Sequence, residues 1–149
     1  MPKHTRAWFH NSEMEHLKIP LKKFLPGIAW FFIVVVLTLM PGKDVPEVDW
    51  LDNITDFDKI VHMGLFGGLV ILFSLPFLRS SFSYQQKMNI FIRICLAVIV
   101  WGITIEFIQK YFVVGRDFDL FDWLADSVGA VSALFLIIYL VNRLEKKRH

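Results

Sequence analysis

Four apolar runs, residues 24–40, 60–78, 88–105 and 123–141, constrain this chain more than any other feature. Crossing a ~30 Å hydrocarbon core as a helix takes ~20 mostly apolar residues. The first run carries no charge, the second only His62, the third only Arg93 near its start and the fourth only Asp126. Together they make up about half of the 149 residues, and 55% of all side chains are hydrophobic. A soluble globule of this size leaves ~30% of the surface of its unfolded chain in water and could not hide so much apolar surface. The 15% aromatic content excludes a disordered chain, and Cys95, the single cysteine, excludes a disulfide framework within the chain. The expected fold is all-α, an integral membrane bundle of four transmembrane helices.

Punctuation supports these limits. Pro26-Gly27 opens the first run and Pro41-Gly42 stops it, while Arg79, Ser80 and Ser81 stop the second. Connections of ten to twenty residues leave no room for a further domain. The chain therefore divides into a polar N-terminal segment (1–23), a four-helix membrane domain (24–142) and a basic tail (143–149). Lys18, Lys22 and Lys23 before an apolar run resemble the start of a signal peptide, but no small-residue cleavage site follows Met40, so the first run reads as an uncleaved helix.

The formal net charge of +2 hides a segregation. Twelve of the 16 basic residues (Lys3, Arg6, Lys18, Lys22, Lys23, Arg79, Lys87, Arg93, Arg143, Lys146, Lys147 and Arg148) fall on one side of the four spans, with only Glu13, Glu15 and Glu145. Lys43, Lys59, Lys110 and Arg116 share the other side with eleven of the 14 acids. Basic residues stay inside, which places both termini in the cytoplasm and the two longer loops outside. The basic face suits anionic lipid; nothing supports a nucleic-acid partner.

On that topology the polar residues of the spans gather at the outer end. Asp58, Lys59 and His62 open the second helix, Glu106 and Gln109 close the third, and Arg116, Asp119, Asp122 and Asp126 lead into the fourth. Asp58/His62, Glu106/Gln109 and Asp119/Asp122/Asp126 are spaced three or four apart, so each set forms a stripe on one helix face. Gly102 and the Gly129/Ala133 pair continue two of the stripes inward, as expected of faces on which helices pack. Structural duties account for several residues taken singly. Asp58, Asp119 and Asp122 complement helix dipoles, Lys59 and Arg116 anchor at an interface, and Cys95 fills a core. Gly64 and Gly68 form a weak GxxxG packing motif, Trp50, Trp101, Tyr111, Phe112 and Trp123 suit an aromatic belt, and the acidic stretch 41–58 suits a solvated surface. Glu106 and Asp126 are different, because an uncompensated acid in a span costs ~2.5–3.5 kcal/mol on insertion scales.

Three strings in order resemble the signature of VanZ-like membrane proteins: Asp58-Lys59-x-x-His62, Glu106-x-x-Gln109, and Gly115-Arg116-Asp117-Phe118-Asp119-x-x-Asp122-x-x-x-Asp126-x-x-Gly129. The likeness covers roughly residues 28–142. It implies a role at the cell envelope, where the family's namesake is linked to low-level resistance to teicoplanin, a glycopeptide acting on lipid-linked cell-wall precursors. Members often carry Asn where this chain has Asp126, which implies a hydrogen-bonding partner there rather than a strict catalytic acid.

Two mechanisms suit the residues. In the first, the cluster of Asp58, Lys59, His62, Glu106, Gln109, Arg116, Asp119, Asp122 and Asp126 binds a lipid head group, a lipid-linked cell-wall precursor, a glycopeptide or an envelope partner; Arg116 and Lys59 meet an anion while Gln109 and the acids hold them. In the second, a membrane hydrolase or transferase uses His62 oriented by Asp58 as base, Glu106 as acid, Asp122 as a further catalytic candidate and Arg116 as charge stabiliser. Ser127 and Cys95 are poor nucleophiles by position. No cofactor or metal is expected: His62, Glu106 and Asp126 are acceptable ligand types, but no ligand pair is spaced within one helix. Ion transport is disfavoured because the inner halves of the spans offer only Thr38, Ser74, Arg93 and Ser132. A homo-oligomer is compatible with the sequence.

Overall fold

Helix ends are set by capping and helix length by apolar runs, and both are visible in a computed structural model of the chain, which describes residues 19–41 and 57–147. A 3-10 turn, Leu21–Phe24, runs into α1, Leu25–Thr38; α2 is Phe57–Leu78, α3 Tyr84–Phe112 and α4 Leu120–Lys146. No strand occurs among the described residues. Counting α1 with its leading turn, all four helices are long and apolar enough to cross a membrane. The N-terminal segment to Lys18, the last two residues, Arg148 and His149, and the stretch 42–56, with Trp50 and most of the acidic segment, lie outside the described residues.

The helices overrun the apolar stretches. A capping box starts α3 four residues early: Ser83 Oγ accepts from the Gln86 amide at 3.3 Å, and Gln86 Oε1 accepts from the Ser83 amide at 2.9 Å. Asp119 caps α4, its Oδ1 accepting from the Phe121 amide at 2.7 Å. Arg143 and Lys146 sit in the last turn of α4, where positive charge suits the helix dipole. The connections 79–83 and 113–119 are therefore shorter than the ten to twenty residues expected from hydropathy.

Packing centres on α2 and α4. A Cβ on Gly129 would collide with the Met63 backbone, and one on Gly67 would lie 3.1 Å from the Gly129 carbonyl oxygen. These two backbones meet with no side chain between them, as small residues allow between membrane helices. The Gly64/Gly68 motif does not make this contact. Gly64 faces open space and Gly68 lies under the Trp30 indole, whose Nε1 donates to the Leu65 carbonyl at 2.9 Å. The buried face of α2, with His62, Leu65, Phe66, Leu69 and Val70, turns Gly67 to α4 instead.

α1 leans on α2 and reaches α3 through Phe31, 5.1 Å from the Trp101 ring. Trp101 is thus a packing residue rather than part of a belt, and Trp123 donates to the Ile99 carbonyl at 3.2 Å; Tyr111 and Phe112 do remain outside. Large apolar side chains such as Phe32, Val100 and Phe135 point outward from the bundle, an arrangement that suits hydrocarbon and not water. The start of α1 meets the end of α2 at Phe24 and Phe77, and Lys87 near the start of α3 meets Glu145 near the end of α4. At the opposite end the start of α2, the end of α3 and the start of α4 come together.

Candidate functional site at one end of the bundle

Three helices each contribute buried polar groups to that second end. From α2, His62 Nδ1 lies 2.9 Å from Asp126 Oδ1 on α4, and its Nε2 lies 3.9 Å from Asp122 Oδ2. From α3, Glu106 Oε2 accepts from the backbone amide of Asp119 at 2.8 Å. Glu106 and Asp126 are 0% exposed, and His62 and Asp122 are buried beside them. The imidazole lies parallel to the Phe66 ring, centroids 6.3 Å apart. Gly102 makes room for the carboxylate: a Cβ there would stand 3.0 Å from Asp126 Oδ2.

The hydrogen bonds leave acceptors over. Glu106 Oε1 and Asp126 Oδ2 are buried with no partner. Each buried unmatched acceptor costs roughly 1–3 kcal/mol, more when charged. Asp122 Oδ1, 3.8 Å from Lys59 Nζ, has a cation near it but no hydrogen bond. Three carboxylates thus share one enclosed region with one imidazole, and Lys59 stands at its rim. Polar atoms at such a cost in a span mark a task or a partner.

The remaining expected residues divide. Asp58 is exposed and pairs with its neighbour Lys59 at 3.2 Å; His62 is oriented by Asp126, not by Asp58. The i,i+4 relation puts Asp58 on the same stripe but at the solvent end of it, while Asp126 comes from a different helix. Gln109 does not hold a site cation either. Its Nε2 donates to the Thr38 carbonyl at 2.7 Å, tying the end of α1, where the helix leaves carbonyls unmatched, to α3. Asp119 leaves the Asp122/Asp126 stripe because its carboxylate caps α4; it serves the cluster through its backbone amide. Arg116, in the α3–α4 connection, is half-buried, and its Nε has no acceptor. Ser127 Oγ donates to the Trp123 carbonyl at 2.9 Å and Cys95 is packed in the core, so neither is presented as a nucleophile.

Two features escaped the sequence reading. Thr38 supplies a carbonyl, which no residue type signals. Lys87 is buried inside α3 and bonded to Glu145 at 3.0 Å, although it falls outside the third apolar run and was counted only among the basic residues of one side. Its register was the available signal, since Lys87, Phe91, Cys95, Val98, Gly102, Glu106 and Gln109 follow one another at three- and four-residue spacing on the buried face. In comparisons with family profiles, curated proteins and solved structures the chain has no match.

Proposed function

We propose that this protein is a VanZ-like component of a bacterial plasma or inner membrane, with both termini cytoplasmic, whose outer-end polar cluster binds the polar head of an envelope lipid or lipid-linked cell-wall precursor. The observation that carries this reading is the half-buried Arg116, with Nε lacking an acceptor, in the connection that also delivers Asp119 to Glu106. A guanidinium so placed is a ready fork for a phosphate or carboxylate. The carboxylates of the cluster would supply acceptors for hydroxyl or amine hydrogens of the same head group. Tolerance of teicoplanin would follow from altered exposure of the precursor.

The test is to purify the protein from its native membrane in mild detergent and identify the lipids that remain bound by native mass spectrometry. An anionic or lipid-linked species should be present with the wild type, lost with Arg116→Ala, and retained with Arg79→Ala, which removes an exposed charge from the opposite end. Identical lipid complements in all three would refute the reading. A deletion strain should become more sensitive to teicoplanin and recover with the wild-type gene but not with Arg116→Ala. Orientation is tested by a cysteine at exposed Asp117, which should label in intact cells; labelling only after lysis would reverse the topology.

One observation favours a second reading, a membrane hydrolase or group transferase: an imidazole held by Asp126 at 2.9 Å in a cluster with the unmatched Glu106 Oε1. His62 would then act as base and Glu106 as acid on a water or acceptor hydroxyl. Chemical conversion of purified lipid-linked precursors by the wild type, abolished in Glu106→Gln, would establish it over binding alone.

A further inference from the structure

We infer that His62, Glu106 and Asp126 form a binding site for one divalent transition-metal ion of the zinc class. One ligand atom from each residue lies within 4.8 Å of the other two, and all three residues are buried. Tetrahedral ligands of one ion at about 2.0–2.1 Å stand about 3.4 Å apart, so the three side chains would draw together by up to about 1.4 Å around an ion. Each of α2, α3 and α4 contributes one ligand. That is why no ligand pair is found within a helix.

Proximity alone would not make a site, but the hydrogen bonds point the same way. Glu106 and Asp126 each spend one oxygen on a protein donor, the Asp119 amide and His62, and each keeps the other oxygen buried and unmatched. His62 Nδ1 and Asp126 Oδ1, 2.9 Å apart, already stand close to the spacing of two ligands of one ion, and an ion there would displace the proton they share, leaving Nε2 as the outer nitrogen. Its nearest acid neighbour, Asp122 Oδ2, is 3.9 Å away, beyond hydrogen-bond reach.

Charge agrees as well. Lys59, paired with Asp58 at 3.2 Å, also stands 3.8 Å from Asp122, and a divalent ion with a neutral imidazole would offset the two carboxylates of Glu106 and Asp126. One imidazole and two carboxylates are borderline-hard donors suited to zinc, iron or manganese, and Cys95, in the core cluster, adds no sulfur. Three protein ligands leave a fourth position for water or for an oxygen of a bound head group. Only that last step rests on the reading above; metal binding does not.

The experiment is a zinc titration of full-length, chelator-stripped protein in detergent, purified without a histidine tag, in competition with a chromogenic chelator. One ion per chain is expected. His62→Ala and Glu106→Gln should each weaken it by at least 10–100-fold, whereas Lys87→Met, at the opposite end, should not. Glu106→Gln keeps an oxygen for the Asp119 amide, so the variant is expected to fold; a monodisperse elution profile checks this. X-ray absorption of the zinc-loaded wild type should give nitrogen and oxygen neighbours at about 2.0–2.1 Å and no sulfur. Unchanged affinity in both site variants would assign the ion to histidines elsewhere in the chain and overturn the inference, as would no binding at all. Loss of lipid retention in Arg116→Ala with zinc binding intact would support the metal site and the head-group reading separately. Zinc binding without lipid retention would leave the metal standing alone.

Discussion

Both ends of this bundle bury charge, and they do it differently. At one end Lys87 on α3 meets Glu145 on α4 at 3.0 Å, cation against anion, with the carboxylate a third exposed. At the other, Glu106, Asp122 and Asp126 gather around a single imidazole and leave buried oxygens unmatched. A matched pair fixes two helices in register and asks for nothing further. An excess of acceptors costs stability, and an arrangement that costs stability persists where function requires it. The first end therefore reads as structure and the second as a site.

The largest effect is expected at the contact that holds both ends in place. Gly129→Leu drives a side chain into the Met63 backbone, and no monodisperse folded protein should elute from size exclusion; Gly64→Ala, whose added Cβ meets open space, should leave melting within roughly 0.5 kcal/mol of wild type. A Gly129→Leu protein that folds normally would mean the α2–α4 approach is not what sets the site. Next comes the matched pair. Lys87→Met leaves the Glu145 carboxylate without this partner and should cost about 1–3 kcal/mol, discounted toward the lower figure because Glu145 is partly in solvent, while adding Glu145→Gln should recover most of it. A double-mutant cycle with no coupling would remove the pair from the structural side of the comparison.

Smaller effects sharpen the boundary between the two kinds of residue. Gln109→Leu gives up the bond to Thr38 and should cost about 0.5–1.5 kcal/mol, read as faster amide hydrogen exchange at the end of α1, with zinc affinity unchanged. A fall in affinity would return Gln109 to the site. Asp58→Ala, which removes an exposed contact to Lys59, should shift stability by less than about 0.5 kcal/mol and leave both ends as they are.

How much of this was readable beforehand follows from where the information lies. The four spans come from composition in runs of some twenty residues, and they are the helices found. Helix limits depended on Ser83, Gln86 and Asp119, capping side chains that hydropathy ignores. That His62, Glu106, Asp122 and Asp126 share one end was visible in their order along alternating spans. Which of them touch was not, because contacts between helices depend on rotation about each axis. The i,i+4 rule pairs His62 with Asp58, yet the partner is Asp126, 64 residues away. The same limit hid the destination of Gln109 and how closely His62, Glu106 and Asp126, already recognisable as ligand types, approach one another. Gly129 was readable as a packing residue; that it meets Gly67 rather than Gly64 or Gly68 was not.

The contrast between the ends can be measured as a sign. Replacing Glu106 by Gln and both Asp122 and Asp126 by Asn keeps acceptor oxygens for the Asp119 amide and His62 while removing the buried excess of negative charge. Melting temperatures of this triple variant and of the wild type should be compared in the same detergent after stripping with a chelator. The variant is expected to melt higher than the wild type, as removal of an unmatched charge cluster requires. A lower melting temperature would mean that these acids hold the fold together as Lys87 and Glu145 do, and that the Glu106 end is structure and not a site.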